Sequence, residues 1–99
     1  MGMEYKVKAD LDEKTINNLA TLIKDNKLFH KSILLNGEEQ FEFRRVENTG
    51  PMPNFTIIIQ TDGIYINKYD SSSLWQDIEY LKLYFDNQIK SYSIQDFQE

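Results

Sequence analysis

Phe55 to Tyr69 constrains this chain more than any other stretch: Phe-Thr-Ile-Ile-Ile-Gln-Thr-Asp-Gly-Ile-Tyr-Ile-Asn-Lys-Tyr. It reads as two strands joined at Thr61-Asp62-Gly63. Ile57, Ile58 and Ile59 are consecutive, so apolar side chains leave both faces of the first strand. A strand apolar on both sides belongs inside a sheet, covered above and below. The rest of the chain must therefore supply neighbouring strands and a covering layer.

The flanking segments read as those parts. Met3 to Ala9 alternates, with Tyr5, Val7 and Ala9 opposite Glu4, Lys6 and Lys8, which is the pattern of a half-buried strand. Asp10 and Asp12 offer N-caps, and Glu13 stands three after Asp10 as in a capping box. A helix is expected over about Glu13 to Asp25, with Ile16, Leu19, Ala20 and Ile23 on one stripe and Leu22 on its flank. Asn26 and Lys27 close it. Leu28 to Leu35 and Glu39 to Val46 form a hairpin around Asn36-Gly37, because a type I′ turn needs positive φ at both central positions. Phe41 and Phe43 face one way, Glu42 and Arg44 the other. Arg45 then falls on the Phe side, so a bulge or the strand's end is near. Glu47 to Asn54, with Gly50, Pro51 and Pro53, is the loop expected to move most. Asp70-Ser71-Ser72-Ser73 stops the last strand. Ser73 with Gln76 suits a second capping box, and a helix is expected from Leu74 to about Ile89. The tail, residues 91–99, carries Tyr92, Ile94 and Phe97 and fits a short strand, a helical turn or an arm.

The predicted class is α+β: one domain over residues 1–99, an antiparallel sheet of about five strands in the order β-α-β-β-β-β-α, and two helices packed mainly on one face. Whether the first strand joins parallel or antiparallel is open. With 99 residues the chain suffices for one core and no second folded unit. It holds no cysteine, which removes disulfides and thiolate metal sites and suits a reducing compartment. No apolar run approaches the roughly 20 residues of a membrane span. Met1 to Asp10 lacks the apolar block of a signal peptide, so the expected location is cytoplasmic.

Few chemistries survive inspection. His30 is the sole histidine, so it cannot build a two-histidine metal site, and as a strand residue it is an unpromising base. Asp10, Asp12 and Glu13 lack the glycine and distant glutamate of a calcium loop, and helix capping accounts for them. Gly2, Gly37, Gly50 and Gly63 are too scattered for a phosphate-cradling loop. Glu38, Glu39 and Glu42 read as a guarded hairpin edge. Arg44-Arg45 is too short a basic spot for nucleic acid, and the net charge of −5 opposes phosphate binding in general. No catalytic residue, cofactor or metal site is expected.

The charge is uneven. Residues 69–99 hold Asp70, Asp77, Glu79, Asp86, Asp96 and Glu99 against Lys82 and Lys90 alone. On the second helix, Leu74, Ile78, Leu81, Phe85 and Ile89 span a stripe of about 80°. Trp75 lies outside it, in a row with Glu79, Lys82 and Asp86. Tyr84 lies past the other edge, beside Asp77. Tyr80 and Leu83 point away from the core. Aromatics interleaved with acids suit a protein-binding surface, in which aromatics anchor and charge steers. The competing reading is that the tail folds back over them.

In shape and composition alone, the small, acidic, cysteine-free outline resembles that of many bacterial immunity proteins, inhibitors and secretion chaperones. The expected function is a non-enzymatic protein-binding domain, an immunity-type inhibitor masking a basic partner through Trp75, Glu79, Tyr80, Leu83, Tyr84 and Asp86. The alternatives are a homo-oligomerisation module, such as a homodimer, and a small ligand-binding domain or enzyme with a pocket beside Glu47–Asn54. Neither nucleic acid nor a membrane is expected as a partner.

Overall fold

The two-residue turns the sequence announces set the sheet. The computed structural model describes residues 3–70 and 72–97; expectations resting on Met1, Gly2, Ser71, Gln98 and Glu99 lie outside them. The elements are β1 (Met3–Lys8), α1 (Glu13–Lys24), β2 (Phe29–Leu35), β3 (Glu38–Phe43), β4 (Phe55–Gln60), β5 (Gly63–Lys68), α2 (Glu79–Gln88) and β6 (Ser93–Asp96). They form an α+β domain with a six-stranded sheet in the order β2-β3-β4-β5-β1-β6. Every pairing is antiparallel, which settles the direction of β1. The sixth strand is the tail. It pairs with β1, Val7 opposite Ile94, and so adds one strand to the five expected.

Asn36 and Gly37 both adopt positive φ, 53° and 83°, as a type I′ turn demands. At the second hairpin Thr61 and Asp62 form the turn and Gly63, at φ 137°, opens β5. A Cβ on Gly63 would sit 2.0 Å from the Val7 carbonyl oxygen, so β1 can lie against β5 there only if this residue is glycine. Of the two options expected beside Arg45, the structure takes the strand's end, and a separate irregularity lies across the ladder. β3 ends at Phe43, and the pairing of β2 slips between Phe29 and Lys31, leaving His30 out of the ladder.

Register places Tyr5, Val7, Phe41, Phe43, Phe55, Ile57, Ile64 and Ile66 on one face. All are buried, and with Leu11, Leu19, Ile23, Leu74, Ile78, Leu81 and Phe85 they form one core. Both helices thus pack on that face. The triple isoleucine of β4 is covered on one side only: Ile57 is fully buried, whereas Ile58 lies on the opposite face and is half-exposed. A polar layer replaces a second set of helices there. Lys6 Nζ reaches Gln60 and, at 2.8 Å, Asp62, and Tyr65 donates to Glu4.

α1 starts as expected, with Asp12 as the N-cap accepting from the Thr15 amide at 2.8 Å. Asp10 is not the cap, so the Asp10–Glu13 box does not form. α2 departs further from expectation. Leu74 to Asp77 is a turn, and the helix begins at Glu79 after Asp77 enters the left-handed region at φ 70°. No described side chain caps it, so the Ser73–Gln76 box is also absent. The cause is tertiary. Lys68 Nζ donates to the Gln76 carbonyl at 2.9 Å, Asn26 Nδ2 donates to the Asp77 carbonyl at 3.2 Å, and Arg45 donates to the Asp77 carboxylate. These contacts hold the chain in a turn where local capping signals favour a helix. Leu74 and Ile78 still reach the core.

Candidate functional site

The six residues expected to form a binding face are divided by the late start of α2. Trp75 precedes the helix, so it shares no row with Glu79, Lys82 and Asp86. It is half-buried, its ring 6.4 Å from that of Phe85. Tyr80 does not point away from the molecule. Its hydroxyl accepts from Asn26 Nδ2 at 2.8 Å, and burial against α1 raises its pKa. Tyr84 likewise turns toward α1, accepting from Asn18 Nδ2 at 3.4 Å. On a helical wheel both tyrosines flank the Leu81–Phe85 stripe on the side occupied by α1. Asp86 is engaged by Lys82 at 2.8 Å and by the Tyr92 hydroxyl. Leu83, Glu79 and Asp86 keep the outward position expected of them, although the Asp86 carboxylate is taken up by Lys82 and Tyr92.

The tail reaches one of the six residues, Asp86, through the Tyr92 hydroxyl, and otherwise packs elsewhere. Tyr92 packs edge-on against Phe85, centroids 5.3 Å apart, and Phe97 sits over Tyr65 on the far face of the sheet. Tyr80 is engaged instead by Asn26, and Leu83 stays 60% exposed.

The structure instead brings Glu79 and Tyr80 to a cleft that α2 shares with the end of α1. Its volume is about 460 Å³, and it is lined by Leu22, Asp25, Asn26, Lys27, Leu28, Asp77, Glu79 and Tyr80. Leu22, Leu28 and Tyr80 are packed against the core and form an apolar floor. Asn26 pins the geometry: its side chain bonds Tyr80, the Asp77 carbonyl and the Leu28 amide at once. Asp25 and Glu79 stand exposed on the rim, and among the described residues neither enters an ion pair. Asp25 is the C-cap of α1. A carboxylate there faces the negative end of the helix, an arrangement that costs a few tenths of a kcal/mol or more. Such a group is well placed to receive a cation.

Behind the cleft, Arg45 bridges Asp70 at 2.8 Å and Asp77. Burial pushes the Asp70 carboxyl up, but hydrogen bonds from Ser72, Asn54 and Arg45 outweigh it and hold that group well below the usual carboxylate range. Much of the acidity of the last third is therefore used internally: Asp70 and Asp77 on Arg45, Asp86 on Lys82.

A second groove, of about 670 Å³, sets Lys8 and Lys90 against Asp10 and Asp62, so its charges cancel. Neither groove borders Glu47–Asn54, where the alternative reading placed a pocket. That loop is knit together by Arg44 donating to the Gly50 and Pro51 carbonyls and by Asn48 donating to Met52 and Asn54. Among the described residues no group of three or more His, Cys, Asp or Glu is arranged to hold a metal ion. No described helix is long and apolar enough to cross a membrane.

The contribution of Asp25, Leu22 and Leu28 has no local signal in the sequence, since Leu22 reads as the flank of a helical stripe, Asp25 as a helix end and Leu28 as the start of a strand. Comparison with protein-family models, with curated proteins and with solved structures finds no match.

Proposed function

We propose that this chain is a small non-enzymatic protein-binding domain, an inhibitor of the immunity type that masks a basic segment of its partner. The contact is centred on the cleft between the end of α1 and the start of α2. One observation carries this reading: two exposed carboxylates without ion-pair partners among the described residues, Asp25 and Glu79, overhang an apolar floor of Leu22, Leu28 and Tyr80. A lysine or arginine has the matching shape, an aliphatic stem for the floor and a cationic head for the rim. The Tyr80 ring adds a surface over which a cation is attracted. Lys27 on the same rim sets a limit on how many charges the partner presents there. A cytoplasmic setting goes with this reading, because the chain carries no cysteine.

The test is calorimetric titration with a short lysine- and arginine-rich peptide. Wild type is expected to bind with an affinity that falls as salt rises. Asp25→Lys with Glu79→Lys should weaken binding about tenfold or more, with unchanged melting, because both side chains are exposed. Equal binding by the double variant and the wild type would contradict the reading.

A further inference from the structure

The β2–β3 hairpin ends the sheet, and among the described residues its outer strand has no partner on its free side. Edge strands of this kind are ordinarily protected by charge, bulges or shortness. The first half of β2 is protected in that way, by the slip at His30 and by Lys31. The second half is not. Ile33, Leu34 and Leu35 are 37%, 75% and 53% exposed. The opposite edge, β6, has only four residues and carries Asp96.

The backbone of this half-strand is available as well. Leu35 and Glu38 flank a two-residue turn, so they form a hydrogen-bonded pair. Ile33 shares that phase, and the Leu34 N–H and C=O therefore point to the free side. We infer that β2 is the contact by which two copies of this chain pair, antiparallel and with the two-fold axis at Leu34, to make one continuous sheet.

Self-complementarity selects a second copy as the occupant. About an axis at Leu34, the apolar triplet matches itself: Leu34 meets Leu34, and each Ile33 meets a Leu35. The same operation carries Lys31 of each copy past the end of the other's β2, level with its Asn36-Gly37 turn. One strand edge and three apolar side chains per copy make a small interface, so association is expected near roughly 100 µM chain. This surface is remote in sequence from the α1–α2 cleft, and the inference does not depend on how that cleft is used.

The cysteine-free chain makes the test clean. In a hydrogen-bonded antiparallel pair the facing Cα atoms lie about 5.5 Å apart, within disulfide range. Leu34→Cys should cross-link to a dimer under mild oxidation far faster than Leu83→Cys, a comparably exposed control on α2. Light scattering of the wild type should rise with concentration from 11.8 kDa toward twice that mass. Leu34→Lys should stay monomeric with unchanged melting. A wild type that is monomeric at millimolar concentration overturns the inference. So does a dimer that survives Leu34→Lys, or a Leu34→Cys variant that cross-links no faster than Leu83→Cys.

Discussion

Lys68 is the side chain whose position the fold fixes at the greatest electrostatic cost. It is fully buried on the helix-covered face, with Nζ 2.9 Å from the Gln76 carbonyl and 4.6 Å from the centre of the Phe55 ring. Burial lowers its pKa to about 8, with Asp70 and Asp77 pulling it back up and Arg45 pushing it further down. An unfolded lysine titrates near about 10.4. Between these values the unfolded chain holds a proton that the folded chain has released, so stability increases with pH. The cost is fully present below the folded value and disappears as pH rises toward the unfolded one. Urea unfolding is expected to show a gain of about 1.5 kcal/mol between about pH 7.5 and about pH 9.5, absent in Lys68→Met. Above about pH 10 the trend reverses, because Tyr5, Tyr80 and Tyr65, the last pushed up to about 12, keep their protons longer when folded. A flat wild-type profile across the lower window would show that Lys68 does not carry this cost.

At the scale of elements, legibility follows the range of the forces. The β2–β3 turn is readable because positive φ at Asn36 and Gly37 is a local demand with few solutions. α1 is readable because its cap, its stripe and its end all lie between Asp12 and Lys24. The start of α2 is not, because what displaces it is distant in sequence: Arg45, Lys68 and Asn26 hold Asp77 and the Gln76 carbonyl in a turn. A helical wheel drawn from Leu74 therefore misplaces Trp75, although it assigns Leu74 and Ile78 correctly to the core. Strand β6 is one of three options for the tail, since its residues are mostly exposed and its pairing depends on an open β1 edge. Arg45 is the test at this scale. Arg45→Met leaves Asp70 and Asp77 half-buried without their cation, and should cost about 2 kcal/mol in urea unfolding. Arg44→Met loses only contacts to the Gly50 and Pro51 carbonyls and should cost under about 1 kcal/mol. Equal losses would mean that the Arg45 bridge does not brace the turn before α2.

Over the whole molecule, one face of a six-stranded sheet supports both helices, and the junction of those helices is where exposed acid meets apolar surface. The acidity of the last third is visible in the sequence, but its disposition is not, because ion pairing to Arg45 and Lys82 is decided in three dimensions. Of the six residues expected to form the site, Glu79 and Tyr80 line the cleft, and Asp25, Leu22 and Leu28 join them from α1 and the segment after it. The most direct test is amide chemical-shift mapping while a lysine- and arginine-rich peptide is added. The account predicts that shifts concentrate at Asp25 to Leu28 and Asp77 to Tyr80, and fade in Asp25→Lys with Glu79→Lys. Binding that leaves those amides unmoved, or no binding at low salt, would contradict it.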